Sequence, residues 1–334
     1  MNLLCFSVAK LLRIIVRKGT QSGLIKKRYI TLILIIVLAA VMLLVGHSEK
    51  AYGWWATPMT AFKGGTFEAS GVAHVPGTGG VLFVDDGRPD QIFWMQIGAG
   101  RKQAGAIKQV TLGANVIDLE GITGDGTHFY VVGSQSKSKG GDLTGLVRFR
   151  FDARAERVVD TQAISGLKKF LAENVAELRG MENRKYRDGG INVEGIAWDP
   201  RRARLLLGLR SPIVDGQALV VPLKLRDPQR GFSLSNLETD GSQAIRLPLG
   251  GAGIRSIEYD EPRAAFRLIT GAGPNAENMD FKLWEWDGEI ERPALRETGT
   301  FERRLKPEGI TRVSHGGQDF TFIVFDVSGY AATD

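Results

Sequence analysis

Leu119-Glu120-Gly121-Ile122, Val193-Glu194-Gly195-Ile196 and Pro307-Glu308-Gly309-Ile310 are three copies of one short phrase. Degenerate copies begin at Ser70-Gly71-Val72 and Arg255-Ser256-Ile257. Each copy opens a short strand, then a Gly/Asp/Pro turn, then a second and more apolar strand, as in EGIT–GDGT–HFYVVGSQS and EGIAW–DPRRA–RLLLGLRSP. Asp125-Gly126 is the clearest hairpin turn among them, since glycine adopts the positive φ that tight hairpins demand. Repetition of this kind sets the architecture before any single residue is read.

Further strand candidates fill the gaps between copies: QIFWMQI and KQVTL, GLVRFRF and RVVDTQAI, ALVVPLKL and AIRLPL, FKLWEW and LRETGTF. Each unit thus holds about four strands. The anchors Ser70, Glu120, Glu194, Arg255 and Glu308 stand 50, 74, 61 and 53 residues apart. Four-stranded sheets at such a period define an all-β fold, the β-propeller. Five anchors argue for five blades, or six if one blade has lost its signature. Second strands such as LLLGL and FTFIVF are apolar without alternation, which fits strands covered on both faces. Only two strands follow Glu308, so the approach at 52–66, read most simply as a linker, could supply the missing outer strand. The propeller is then placed at 67–334.

The longest spacing contains the one inserted helix, Ser165 to Gly180, with Leu167, Phe170, Leu171, Val175 and Leu178 on one face. Ser165 suits its N-cap and Gly180 its stop. It is read as packing on the rim, with a lid over the channel mouth as the alternative.

Residues 1–51 form a leader. Tyr29 to Gly46 carries no charge over eighteen residues, and Lys26-Lys27-Arg28 precedes it. Such a segment spans a bilayer, and the positive flank keeps its start in the cytoplasm. A cleaved signal ending near Gly46-His47-Ser48 is the rival. Both expectations export the propeller, either anchored in the inner membrane or free in the periplasm. The leader also explains the basic balance. It holds eight of the chain's 43 Lys/Arg against one of its 37 acids, leaving 35 against 36 elsewhere. A near-neutral folded part argues against nucleic acid as a partner. The single cysteine, Cys5, lies in the leader and excludes disulfides and Cys-bound metals from the propeller.

Strand two runs back antiparallel to strand one, so its end returns beside each anchor. That expectation gathers Glu120, Glu194, Glu308, Asp85 and Asp326 at one channel mouth, with Arg210, Arg255, Ser134 and Gln135 as ligand-binding neighbours. Carboxylates with neutral oxygen donors suit a hard cation, calcium above all. The competing arrangement has Arg255 and Arg210 neutralising the glutamates in a salt-bridge ring. No nucleophile elbow, zinc helix or phosphate loop is present.

These motifs resemble a bacterial propeller family that is a domain of unknown function, DUF 3616. The resemblance rests on Leu119-Glu120-Gly121-Ile122 leading to Val132-Gly133-Ser134-Gln135-Ser136. It continues in Val193-Glu194-Gly195-Ile196-Ala197 leading to Gly208-Leu209-Arg210-Ser211-Pro212, and in Lys306-Pro307-Glu308-Gly309-Ile310 leading to Phe325-Asp326. It implies a propeller over about 66–330 and no activity. More distantly the Glu-Gly openings look like those of lactonase-type propellers, where such a glutamate helps hold a divalent metal. The expectation is therefore an exported, membrane-tethered propeller that binds a small ligand or divalent cation at one mouth. A metal-dependent hydrolase of esters, lactones or phosphoesters and a noncatalytic protein- or polymer-binding scaffold are the alternatives.

Overall fold

Five sheets stand around one channel. The computed structural model describes residues 58–136, 144–274 and 279–334, so the leader lies outside the described residues. Among the described residues no helix is long and apolar enough to cross a membrane. A short strand β1 (Thr60–Ala61) comes first. Blade 1 is β2 (Ala69–His74), β3 (Gly80–Asp85), β4 (Gln91–Ile97) and β5 (Gln103–Thr111). Blade 2 is β6 (Leu119–Gly124), β7 (Phe129–Gly133), β8 (Thr144–Asp152) and β9 (Arg157–Ser165). Blade 3 is β10 (Asn192–Asp199), β11 (Arg204–Ser211) and β12 (Ala218–Leu225), with its outer strand split into β13 (Leu237–Thr239) and β14 (Ile245–Leu247). Blade 4 is β15 (Gly253–Asp260), β16 (Ala265–Gly271), β17 (Phe281–Trp286) and β18 (Leu295–Phe301).

Blade 5 closes the ring. It takes β19 (Pro307–His315), β20 (Gln318–Phe325) and β21 (Gly329–Thr333) from the C-terminal end. Its fourth strand is β1, with Thr60 opposite Tyr330 and Ala61 opposite Gly329. The closing strand therefore comes from within the stretch read as a linker, and the blade count is five.

Continuous apolar strands make sense once the blades face each other. Leu205, Leu207 and Leu209 of β11 pack toward blade 2, while Leu206 packs toward blade 4. In the same way Phe322 and Val324 of β20 face blade 1, and Ile323 and Phe325 face blade 4. Successive side chains point to opposite faces, and here both faces are interior. The core is thus five wedges between blades.

The helix α1 (Leu167–Asn174) fills one of those wedges. Leu167, Phe170, Leu171, Val175 and Leu178 all join the cluster between blades 2 and 3. Its apolar face is a structural wedge, while Lys169, Glu173 and Asn174 face solvent. Ser165 does not cap it: Ser165 ends β9, and the cap position is Gly166, whose φ of 78° makes the turn from strand to helix.

Candidate functional site

The repeated phrase is the signature of a β-bulge. In blade 2, Leu119 pairs with Gly133 and Gly121 pairs with Val132, so Glu120 has no partner across the sheet. The same skip isolates Ser70, Glu194, Arg255 and Glu308 in the other four blades. A bulge leaves its extra residue unpaired and re-aims it. The glycine that follows has a separate cause. A Cβ at Gly71 would stand 2.8 Å from the Glu120 carbonyl oxygen, and one at Gly309 would stand 2.9 Å from the Gly71 Cα. Neighbouring inner strands come too close there for a side chain. Blade 4 carries Ser256 instead, whose Oγ accepts the Ile310 N–H at 3.2 Å.

The bulges bring charge together. Arg255 Nη1 donates to Glu194 Oε2 at 2.6 Å, and its Nη2 donates to Glu308 Oε1. Glu194 Oε1 accepts from Arg210 Nη1 at 2.9 Å and from Asn192 Nδ2 at 3.0 Å. Arg210 Nε donates to the Ala272 carbonyl oxygen, and its guanidinium lies 4.6 Å from the centre of the Tyr186 ring. One ion-pair network therefore ties blades 3, 4 and 5 across the channel. Arg255 Nε is buried without a partner.

Three carboxyls share two guanidiniums, so one negative charge is left over. Burial raises the Glu120 pKa well above the usual range, and the charges of Glu194, Asp118 and Glu308 add to it. Burial also pushes Glu308 up to about 8, against the pull of Arg255. Burial works against the Arg255 charge too, but Glu194, Glu308 and Glu120 together outweigh it and raise its pKa. Arg255 is pressed against Glu308, whereas no cation among the described residues contacts Glu120. Burial and the neighbouring carboxylates thus favour the neutral form of Glu120. A carboxyl held neutral this way can donate a hydrogen bond near pH 7.

The other expected residues are arranged differently. Glu194 and Glu308, expected to converge on a cation, meet a guanidinium instead. Asp85 accepts the backbone N–H groups of Glu68 and Gly87, each at 3.0 Å. Asp326 lies one residue past β20 and pairs with Lys306 at 2.6 Å. Among the described residues, no three His, Cys, Asp or Glu side chains are close enough together to hold a metal ion. Ser134 is buried and donates to Asp118 Oδ2, which anchors that carboxylate rather than a ligand. Gln135 turns inward, with Nε2 donating to the Gly133 carbonyl oxygen at 3.0 Å. Of the ligand-binding set, only Arg210 and Arg255 stand with the glutamates.

Sequence reasoning missed Asn192, Asp118 and Tyr186. A signal for the first two was present: the residue two before each anchor is polar in four copies, as Glu68, Asp118, Asn192 and Lys306. Tyr186 had none. It sits on a 3-10 turn (Tyr186–Asp188) in the long insertion, and only the fold carries it to Arg210.

Bladed sheets around a charged channel mouth define the chain as a five-bladed β-propeller. Residues 151–327 match the family described as "Protein of unknown function (DUF3616)", and the chain belongs to that family. No curated protein matches its sequence. Among solved structures it is similar to the holo form of the PQQ domain of pyranose dehydrogenase from Coprinopsis cinerea, at 11% identity, with 84% of this chain and 98% of that one covered and a TM-score of 0.46. The soluble aldose sugar dehydrogenase of Escherichia coli shows 11% identity over 83% and 98% of the two chains, with a TM-score of 0.45. Glutaminyl cyclase from Myxococcus xanthus shows 12% identity over 83% and 94%, with a TM-score of 0.41. At such identities and scores nothing about activity passes to this chain.

Proposed function

We propose that the mouth carrying Glu120, Arg210 and Arg255 binds a small polar molecule that presents hydrogen-bond acceptors. The observation that supports this is Glu120, a carboxyl that contacts no cation among the described residues, set beside the Arg255–Glu194–Glu308 network and pushed toward its neutral form by burial. The O–H of Glu120 and the unused Nε of Arg255 are both donors. A divalent cation is the weaker reading, because Glu194 and Glu308 are spent on Arg255. The hydrolase alternative loses its metal ligands for the same reason.

Thermal unfolding of the full chain at pH 7.5 tests this against neutral amides, hydroxy acids, nucleosides, calcium and magnesium. At least one organic class should raise the melting temperature in a concentration-dependent way, as linkage requires. Glu120→Met, which removes the donor, should weaken that response at least tenfold. Glu120→Gln, which mimics the neutral carboxyl and keeps a donor, should leave both the unliganded melting point and the response nearly unchanged. Indifference to every organic probe would overturn the proposal. So would a calcium response that Glu194→Gln abolishes.

We further propose that the propeller works outside the cytoplasm, tethered by Tyr29–Gly46. The support is the uncharged run behind Lys26-Lys27-Arg28. A reporter fused after Asp334 should be active only on the outer side of the inner membrane, and cytoplasmic activity would refute this.

A further inference from the structure

The opposite end of the channel holds a cavity of about 520 Å³ walled by all five blades. That volume lies within the range of small-molecule sites, about 300–1,000 Å³. Its walls are the far ends of the inner strands β2, β6, β10, β15 and β19, three and four residues beyond the bulges. At 3.3 Å per residue this is about 10 Å along the channel from the charged mouth.

Inner strands have no strand partner on the channel side, so their N–H groups need other acceptors. The third residue after the bulge supplies one to the next blade. Thr123 Oγ1 accepts from Trp198 N and Thr311 Oγ1 accepts from His74 N, both at 3.1 Å. Glu258 does the same for blade 5, its Oε1 accepting from Arg312 N at 3.1 Å and from Thr311 Oγ1 at 2.5 Å. A threonine performs this task with one oxygen. Glu258 brings a second, Oε2, which is buried with no partner. Arg312 Nε, on the adjacent strand, is likewise buried with no partner. Buried polar atoms left unpaired cost about 1–3 kcal/mol each, so two on residues that line one cavity call for a reason.

We propose that this cavity is a second ligand site, specific for a neutral polyhydroxylated molecule the size of a monosaccharide or cyclitol, with one hydroxyl donating to Glu258 Oε2 and accepting from Arg312 Nε. The pair needs a donor and an acceptor on one atom. An ammonium offers donors only and a carboxylate acceptors only, whereas a hydroxyl offers both. His74 extends the pattern. Its Nε2–H donates to the Thr78 carbonyl oxygen at 2.9 Å, which makes Nδ1 the acceptor nitrogen of a residue that lines the cavity. Burial lowers the His74 pKa and keeps the ring neutral. Trp198 adds an apolar wall of the kind on which a ring's C–H face packs.

Saturation-transfer NMR and calorimetry on the full chain, with myo-inositol and D-glucose as probes, test the assignment. Both experiments should detect at least one polyol, while glucose 6-phosphate and glucosamine should bind at least tenfold more weakly. Glu258→Thr installs the residue that blades 2 and 5 already use, so it keeps the cap on Arg312 N and the melting temperature. It should nevertheless lose polyol binding at least tenfold. Glu258→Gln, which replaces the free oxygen by a donor, should lose it too and serves if the threonine variant fails to fold. Glu120→Met, which disables the other mouth, should leave polyol binding in this cavity unchanged. The proposal fails if neither polyol transfers saturation, if Glu258→Thr binds like the native protein, or if Glu120→Met abolishes binding.

Discussion

Replacing Arg255 with glutamine should destabilise the propeller by about 3–5 kcal/mol, the cost of breaking a buried ion pair from one side. Arg255 is the shared partner of Glu194 and Glu308, both nearly inaccessible to solvent at 3% and 7%. Without it Glu308 loses its direct ion pair, Glu194 keeps only Arg210, and the Glu120 carboxyl adds to the uncompensated charge. Lysine should rescue only part of the loss, because one ammonium cannot fork to two carboxylates as the guanidinium does. Denaturant melts of the two variants decide the matter. A loss under about 1 kcal/mol for Arg255→Gln would mean that the network behaves like an exposed surface pair. Glu120→Gln supplies the contrast, since it replaces a neutral group with a neutral group.

Stability should fall as pH rises from about 5 to 8.5. Burial is the leading cause of raised pKa values at Glu120 and Glu308, and it pushes Glu258 up to about 7 from 4.5. A carboxyl raised in the folded state binds more protons there than in the unfolded chain. Its contribution is fully present below the unfolded pKa and is lost as pH rises through the folded one. For Glu258 alone the window is about 4.5 to 7, worth on the order of 3 kcal/mol. Asp125, Asp240 and Asp319 have lowered pKa values and act oppositely, below about pH 4. The melting temperature should therefore peak near pH 5 and drop by roughly 6–12 °C by pH 8.5. Glu258→Gln should flatten that slope. A melting temperature that climbs between pH 5.5 and 8.5 would contradict the assignment of buried, proton-holding carboxyls.

Much of this was legible before any coordinates. The anchors Ser70, Glu120, Glu194, Arg255 and Glu308 are equivalent positions, and the register makes each the unpaired residue of a bulge. The salt-bridge arrangement was one of the open readings, and it is the one the side chains adopt. Where the reading failed, it failed by small displacements. Asp326 sits one residue beyond the strand end, because Phe325 is the residue that pairs with Pro307. Ser134 and Gln135 lie next to the site in sequence, yet their side chains turn to Asp118 and Gly133. Strand periodicity predicts a face and not a rotamer, and a slip of one residue reverses the face.

The cavity at the other end had no sequence signal. Glu258 looks like an ordinary polar residue in a strand, and only its equivalence to Thr123 and Thr311 shows that one of its oxygens is surplus. Repetition, turn chemistry and apolar runs determined the bladed fold, because these depend on neighbours a few residues apart. Tertiary structure alone decided which charges pair, which carboxyl keeps a proton and where a cavity opens. Those outcomes depend on distances of a few ångströms between residues 16, 53 and 61 positions apart, at Arg210–Glu194, Arg255–Glu308 and Arg255–Glu194. They also depend on how much water the assembled blades exclude.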